Sequence, residues 1–266
     1  MRYSFLPLLL LAACAPKPMS SGTAPAQPTL YTESFGNTPR DAVRTLIVVL
    51  HGDAPTAPPS YQYAAARTFA AAVPESAVVA VLRPGYSDAA GHRSVGERGL
   101  TTGDNYTADR IAAVAQTIGA LRQRYPHART ILVGHSGGAA IAADLAGTRG
   151  GLVDGLVLVG CPCMLDEWRA GMEKRMPEAP FEAPVTSLDP LKTVGGIPSD
   201  TRAAIIVGAK DEIAPPALSR GYAEALALRG IATDFRIVPG KGHEILDDPE
   251  VITALQRLAA SLPRLP

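Results

Sequence analysis

Aromatic residues are scarce, at 5% of the chain with a single tryptophan, which argues against stacking platforms for nucleobases or sugar rings. An excess of one charge is missing too. Lys and Arg total 25 and Asp and Glu total 25, so the formal net charge is zero. No basic run stands out, and a nucleic-acid surface has no support. Cysteine is limited to three residues, with no His-x-x-x-His pair or carboxylate cluster beside them. Metal-dependent hydrolysis is therefore set aside, and no metal or cofactor is expected. The apolar run near the N-terminus is about nine residues long, where a spanning helix needs about 20. What remains is ordinary globular composition, 47% hydrophobic and 19% charged over 266 residues. That is enough chain for one sizeable core.

The start, MRYSFLPLLLLAAC, carries Arg2, then an apolar segment, then the small pair Ala12 and Ala13 before Cys14. Residues 1–13 read as a signal peptide. Leu11-Ala12-Ala13-Cys14 resembles the bacterial lipoprotein box, which implies that Cys14 is acylated and becomes the new N-terminus. The alternative is an ordinary secretory signal cut near Ala13 or Ala15. Each buried CH₂ of an acyl chain contributes ~0.8 kcal/mol, so more than one chain would hold a protein on a membrane stably. Ala15 stands where an inner-membrane retention signal would show Asp. The expectation is a lipid-anchored protein on the outer membrane, facing the periplasm. Residues 14–37 are rich in Pro, Ser, Thr and Ala and read as a disordered tether ahead of a domain at 38–266. In that oxidising compartment, Cys161 and Cys163 of GCPC form either a disulfide or a pair of small buried thiols. Nothing in the sequence indicates an oligomeric state.

Five unbroken apolar runs follow, at 44–53, 76–86, 129–138, 153–162 and 202–212, with a weaker sixth at 233–244. Continuous runs of this length suit strands buried on both faces of a parallel sheet. Helix-period segments lie between them, at 61–73, 107–124, 139–146, 217–228 and 249–262. In the second, Ile111, Val114, Ala115, Ile118 and Leu121 share a face behind Thr107 as N-cap. The alternation predicts a doubly wound, mostly parallel α/β fold. Residues 161–200 break the rhythm with six prolines and Trp168. A loop that long in a compact domain is commonly functional, and the segment reads as a small lid or cap. The competing reading is an inert surface excursion.

The stretch TILVGHSGGAAIAADLAG, residues 130–147, hands a strand over to a helix at Ser136. A nucleophile on so sharp a turn needs small neighbours two residues away on either side. Gly134 and Gly138 supply them, and the Gly-x-Ser-x-Gly pattern lifts Ser136 above the sheet. The helix that starts there aims free N–H groups at whatever Ser136 attacks. A serine needs a base to take its proton. Of the five histidines, His127 precedes a strand and reads as exposed. His135 adjoins Ser136 but is expected to point elsewhere, His92 sits in a polar loop, and His51 ends a strand as a structural or oxyanion-loop residue. His243, in the loop PGKGHE between the last strand and the last helix, is the candidate base. Asp211 follows a strand end in VGAKDEIAPP and is the candidate third member, ahead of Glu212, Asp189 and Asp200. The chain order Ser136, Asp211, His243 is that of an elbow nucleophile on an α/β sheet. The oxyanion donors would be the N–H groups of Gly137 and Asp53. A carboxylate at Asp53 is awkward beside an anion and is expected to turn away.

HGD, RPGY, GHSGG, GAKDEIAPP and GKGHE occur in the order in which the α/β-hydrolases carry such segments, and the chain from Arg44 onward resembles that family. Residues 189–230 also resemble the catalytic-domain tail of prolyl-oligopeptidase-type serine peptidases and their esterase relatives. The resemblance implies an eight-stranded, mostly parallel sheet, with TLYTESFG at 29–36 as a possible edge strand. It also implies a serine hydrolase acting on small ester, thioester or amide substrates through an acyl-enzyme. The alternative is a catalytically inactive, lipid-anchored binding or scaffold protein on the same fold, a reading that rests on Asp53. Arg83, Arg93 and Arg98 read as solvated loop residues, or else as receivers of an acidic substrate group.

Overall fold

Each long apolar run of the sequence forms a strand buried on both faces. In the computed structural model, which describes Met1, residues 30–100 and residues 102–265, β2 (Thr45–Leu50), β3 (Ser76–Val81) and β5 (Gly155–Val159) are buried throughout. β4 (Arg129–His135) and β6 (Arg202–Gly208) are buried beyond their first residue. β7 (Ala232–Val238) is half-covered at the sheet edge, which is why its pattern was the weakest in the sequence. β1 (Thr32–Phe35) pairs antiparallel with β3, and all other pairs are parallel. The order is β1-β3-β2-β4-β5-β6-β7.

Two expectations change here. The sheet has seven strands among the described residues rather than eight, because a single strand, β1, forms its antiparallel edge. Order also begins earlier than residue 38. Leu30 is buried, the Tyr31 amide donates to Ser94 Oγ at 2.9 Å, and β1 registers Thr32 on Val81. The tether reading therefore fails for residues 30–37. The signal peptide, Cys14 and the rest of the tether lie outside the described residues.

Alternate strand residues feed two layers. Leu46, Val48 and Leu50 face α2 (Ala108–Arg124), α3 (Gly137–Thr148) and α6 (Pro216–Leu228). Ile47 and Val49 face α1 (Tyr61–Ala72) and α7 (Pro249–Ser261). In α2 the buried Ile111, Val114 and Ile118 confirm the face read from the sequence, and each such side chain contributes roughly 1.5–3 kcal/mol. Thr107 occupies the N-cap position, but its hydroxyl donates to the Asp109 carboxylate instead of capping a backbone amide. Residues 161–200 fold into α4 (Leu165–Arg175), α5 (Pro190–Thr193) and a 3-10 turn. Trp168 packs edge-on to Phe181 and its indole N–H donates to the Ile213 carbonyl at 2.7 Å. Arg169 holds the same segment through the carbonyls of Phe181 and Ala183.

The chain runs from β2 outward to β3, then crosses back to place β4 on the other side of β2. That reversal opens a crevice at the carboxyl ends of β2 and β4, where open α/β sheets take their ligands. Gly52 and Asp53 follow β2 into it and Ser136 follows β4.

Candidate active site

Ser136 links β4 to α3 at φ 53° and ψ −124°. A non-glycine residue in that region costs on the order of 1–3 kcal/mol and persists only when its surroundings impose it. The surroundings are the flanking glycines. A Cβ on Gly134 would overlap the backbone of Gly138 and Ala139, and one on Gly138 would overlap the carbonyls of Leu50 and His51. The Ser136 amide donates to the Val159 carbonyl at 2.8 Å, and the Ser136 carbonyl accepts from Ala139 N at 2.8 Å. The turn is thus tied to β5 and to its own helix, and the side chain stands free in the crevice.

Asp211 follows β6 and is buried. Its Oδ1 accepts the amides of Ile213 and Ala214 at 2.9 and 2.8 Å. Its Oδ2 lies 2.8 Å from His243 Nδ1. Gly160, at φ 54°, passes beneath the pair. A Cβ there would come within 3.1 Å of the His243 ring and 3.2 Å of Asp211 Oδ2. The structure therefore joins Asp211 to His243, and both Ser136 and His243 line one cavity of about 760 Å³. Among the described residues no hydrogen bond engages the Ser136 hydroxyl; such contacts are often long in substrate-free enzymes and tighten on binding. The rivals are occupied elsewhere. Glu212 is exposed and pairs with Arg175. Asp189 caps α5, accepting from Leu191 N, and Asp200 is exposed.

The Asp53 carboxylate does not turn away. It is buried beside Gly137, where an added Cβ would overlap it. Arg83 Nη1 donates to it at 3.0 Å, Gly103 N at 2.9 Å and Tyr106 Oη at 2.7 Å. Arg83 is itself buried, donating also to the carbonyl of His51 and to Asn105 Oδ1. This corrects the reading of Arg83 as a solvated or substrate-facing residue: its charge is matched inside the protein, as a buried charge requires. Among the described residues no hydrogen bond takes up the amides of Asp53 and Gly137, which leaves both donors open.

His51 donates from Nδ1 to the Gly52 carbonyl at 2.7 Å and accepts from the Arg83 amide at 3.0 Å. Burial, then the Arg83 charge, hold it well below the usual histidine range, so it is a neutral structural residue. His92 bonds Asp88, and His127 is exposed. His135 departs from expectation. It lies on the cavity wall with its ring 4.8 Å from that of His243. Burial, then the neighbouring His243, lower it to about 4. Its nitrogens contact Tyr61 Oη at 2.8 Å and the His243 carbonyl at 3.0 Å. His135, His243 and Glu244 bring ligand-type atoms within 4.8 Å of one another. Both His135 nitrogens and His243 Nδ1 are already hydrogen-bonded, so a metal there would have to displace those bonds.

The rest of the cavity is mostly apolar, with Thr56, Thr102 and Glu244 as its polar members. The loop 54–59, with Pro55, Pro58 and Pro59, forms one wall, and Trp168, Met172, Met176 and Phe181 of the 161–200 segment form another, with Ile213 at the mouth. Cys161 and Cys163, at the start of that segment, are both buried and joined by a disulfide, which settles the open alternative. Sequence reasoning missed Tyr61, Tyr106 and the inward position of His135. Their contacts span 9 to 108 residues, and no local pattern marks them.

A serine on a strand-to-helix elbow, with a carboxylate and a histidine delivered by later loops of a parallel sheet, defines a class of fold. The family model described as "Alpha/beta hydrolase family" matches residues 47–190, and the chain belongs to that family. No curated protein matches the chain in sequence. Solved structures share the fold at low identity. The monoacylglycerol lipase of Paleococcus ferrophilus is 19% identical, with 87% of this chain and 98% of that one covered and a TM-score of 0.59. Est1E of Butyrivibrio proteoclasticus, solved with ferulic acid bound, is 15% identical over 86% and 93%, at 0.64. The acylaminoacyl peptidase of Pyrococcus horikoshii is 14% identical over 86% of this chain and 38% of that one, at 0.63.

Proposed function

We propose that the protein is a serine hydrolase that cleaves carboxylic esters, and by the same chemistry thioesters or amides, of small substrates with an apolar group. The observation that carries this reading is the Asp211–His243 hydrogen bond of 2.8 Å in the loops that flank the Ser136 elbow. Asp211 accepts from His243 Nδ1, which leaves Nε2 as the basic nitrogen. Nε2 takes the Ser136 proton as Oγ attacks the carbonyl carbon. The carbonyl oxygen becomes an anion and receives the amides of Gly137 and Asp53. His243 then gives its proton to the leaving alcohol, thiol or amine. Water repeats the sequence on the acyl-serine and frees the acid.

The apolar walls favour an alkyl or aryl substituent, since among the described residues no Lys or Arg lines the cavity to greet an acid. The inactive-scaffold reading loses its motive once Arg83 balances the Asp53 charge. Residues 161–200 act in this reading as a cap whose side chains choose the substrate. Cys14 carries the lipid anchor of an envelope protein, and the residues before Leu30 tether the catalytic domain to the outer membrane.

A fluorophosphonate probe should label the wild type and not Ser136→Ala, with folding of both checked by circular dichroism. Absence of label on folded wild type refutes the reading. A panel of p-nitrophenyl esters and aminoacyl arylamides then ranks the substrate classes. Metabolic labelling with palmitate, lost in Cys14→Ser, tests the anchor.

A further inference from the structure

Tyr61 opens α1, and its hydroxyl accepts the Gly52 amide at 2.6 Å. The same hydroxyl lies 2.8 Å from His135 Nδ1, while His135 Nε2 lies 3.0 Å from the His243 carbonyl. The direction of each bond follows from the atoms. A carbonyl only accepts, so Nε2 carries the hydrogen. A neutral imidazole has one N–H, so Nδ1 is an acceptor and the Tyr61 O–H donates to it. The Tyr61 oxygen is then free to accept from Gly52. The result is one consistent chain of hydrogen bonds, Gly52 N–H to Tyr61 O–H to His135, and His135 N–H to the backbone of His243. It begins one residue before Asp53 and ends on His243 itself. His135 is the residue immediately before Ser136. A Cβ on Gly52 would stand 3.0 Å from the Ser136 Cβ and 3.1 Å from Tyr61 Oη, so the three segments touch. The His135 ring meets Tyr61 edge-on at 5.4 Å.

We infer that Tyr61 and His135 are positioning residues that tie the oxyanion loop to the loop of the base across the base of the elbow. The inference rests on the reading of Ser136, His243 and Asp211 as the catalytic set. The Asp53 amide and the His243 imidazole must serve the same tetrahedral centre, one holding its oxygen and the other moving its proton. They arrive on loops 190 residues apart in the chain. Without a common tether each loop keeps its own freedom, and misplacement of a reacting group by about 1 Å can lower turnover on the order of 100-fold. Tyr61 and His135 also line the cavity, but the Tyr61 hydroxyl and both His135 ring nitrogens are taken up by the bridge, so its loss falls on kcat more than on KM.

The test uses Tyr61→Phe, His135→Leu, His135→Gln and the Tyr61→Phe/His135→Leu double variant, assayed on the best p-nitrophenyl ester beside Ser136→Ala. Tyr61→Phe and His135→Leu should each lower kcat about 10- to 100-fold with KM within about twofold. The double variant should fall no further than the worse single one, because the two act as one unit. His135→Gln keeps an N–H that can reach the His243 carbonyl and should recover part of the loss. Tyr61→Phe removes one oxygen, and it decides the matter even if His135→Leu does not fold. If Ser136→Ala abolishes turnover while Tyr61→Phe keeps kcat within about twofold, the bridge is not a positioning device and the catalytic set stands. Multiplying losses in the double variant, or a loss confined to KM, overturns it as well. If Ser136→Ala retains turnover, the catalytic set itself is wrong.

Discussion

Replacing Arg83 with Met tests whether the Asp53 carboxylate has to be neutralised for an oxyanion to form beside it. The Arg83–Asp53 pair is buried on both sides, with Nη1 to Oδ1 at 3.0 Å and side chains 1% and 4% exposed. Met retains much of the arginine stem and removes the charge. Breaking a buried pair from one side costs about 3–5 kcal/mol, because the remaining charge is stranded. Asp53 keeps its bonds from Gly103 N and Tyr106 Oη, which puts the expected loss at the low end, about 3 kcal/mol. The kinetic effect is separable. The carboxylate touches Gly137, so an anion held by the Gly137 amide sits at a separation of roughly 5 Å, and two unit charges there repel by about 3 kcal/mol at an effective dielectric of 20. That repulsion exists only as the anion develops, so it lowers kcat on the order of 100-fold. Urea melts and p-nitrophenyl ester kinetics measure the two effects. The decisive control is Arg83→Met/Asp53→Asn, which removes both charges and should recover most of the turnover and part of the stability. A fully active Arg83→Met, or a double variant no better than it, refutes the electrostatic reasoning.

Ser136→Gly relieves the backbone at φ 53° and should raise stability by about 1 kcal/mol while abolishing turnover; Ser136→Ala keeps the strain, and thermal melts should separate the two by a few degrees. Asp144, buried in α3, has its carboxyl raised to about 8, by burial first, with the Thr193 hydroxyl lowering it and the Asp189 charge raising it. The folded state holds this proton across neutral pH and the unfolded state does not, so its contribution is complete below about pH 4 and is lost as pH rises toward 8. Urea melts at pH 5 and pH 8 should show Asp144→Asn losing less stability over that interval than wild type, by up to about 4 kcal/mol; an unchanged slope refutes it. His135 has the opposite sign. Its ring is neutral when folded and is lowered to about 4 by burial and then by His243, so its contribution is present above about pH 6.5 and is lost as pH falls toward 4; His135→Gln should flatten the acid side of the same melts. The Cys161–Cys163 disulfide closes a loop of very short span, so in the chain-entropy model a Cys161→Ser/Cys163→Ser variant loses only about 1.5 kcal/mol. A much larger loss in the melt would mean that the buried sulfurs pack, and do not merely link, at the start of the 161–200 segment.

The fold was readable because a parallel sheet covered on both faces writes itself as continuous apolar runs. Leu46 to Leu50 and Val78 to Val81 have no polar side to reveal. Where coverage fails the pattern fails: β7 carries Asp234 and Arg236, which pair with each other on the open edge. β1 was harder still. Thr32 to Phe35 are half-exposed, and the strand exists because β3 offers it a partner, which is a tertiary fact. The boundary of the tether failed for the same reason. Polar composition argues for disorder only when nothing nearby will accept the backbone, and here the edge of the sheet does.

The site divides along a different line. Gly134, Ser136 and Gly138 could be found because their constraint is local: the chain cannot make the elbow with larger residues two positions away, so sterics leave a mark within five residues. Asp211 and His243 could be singled out because each lies in the loop that follows a strand, so the sheet itself carries them to one crest. Arg83 also follows a strand, after β3, yet it reads as a loop arginine, since what buries it is Asp53, Tyr106 and Asn105 arriving from elsewhere. Asp53 was misread for the same reason in reverse, because a carboxylate beside an anion site is a liability only if its cation is missing. A residue's direction along a turn can be inferred from its neighbours, but its charge state and use depend on partners tens of residues away. His135 brings the two cases together. Its place next to Ser136 is set by the elbow, while its hydrogen bonds are set by Tyr61 and His243, 74 and 108 residues distant. Under the proposed function, the elbow that presents Ser136 is a short-range geometry that a sequence must spell out, whereas the bonds that would hold the set together are specified by the fold as a whole.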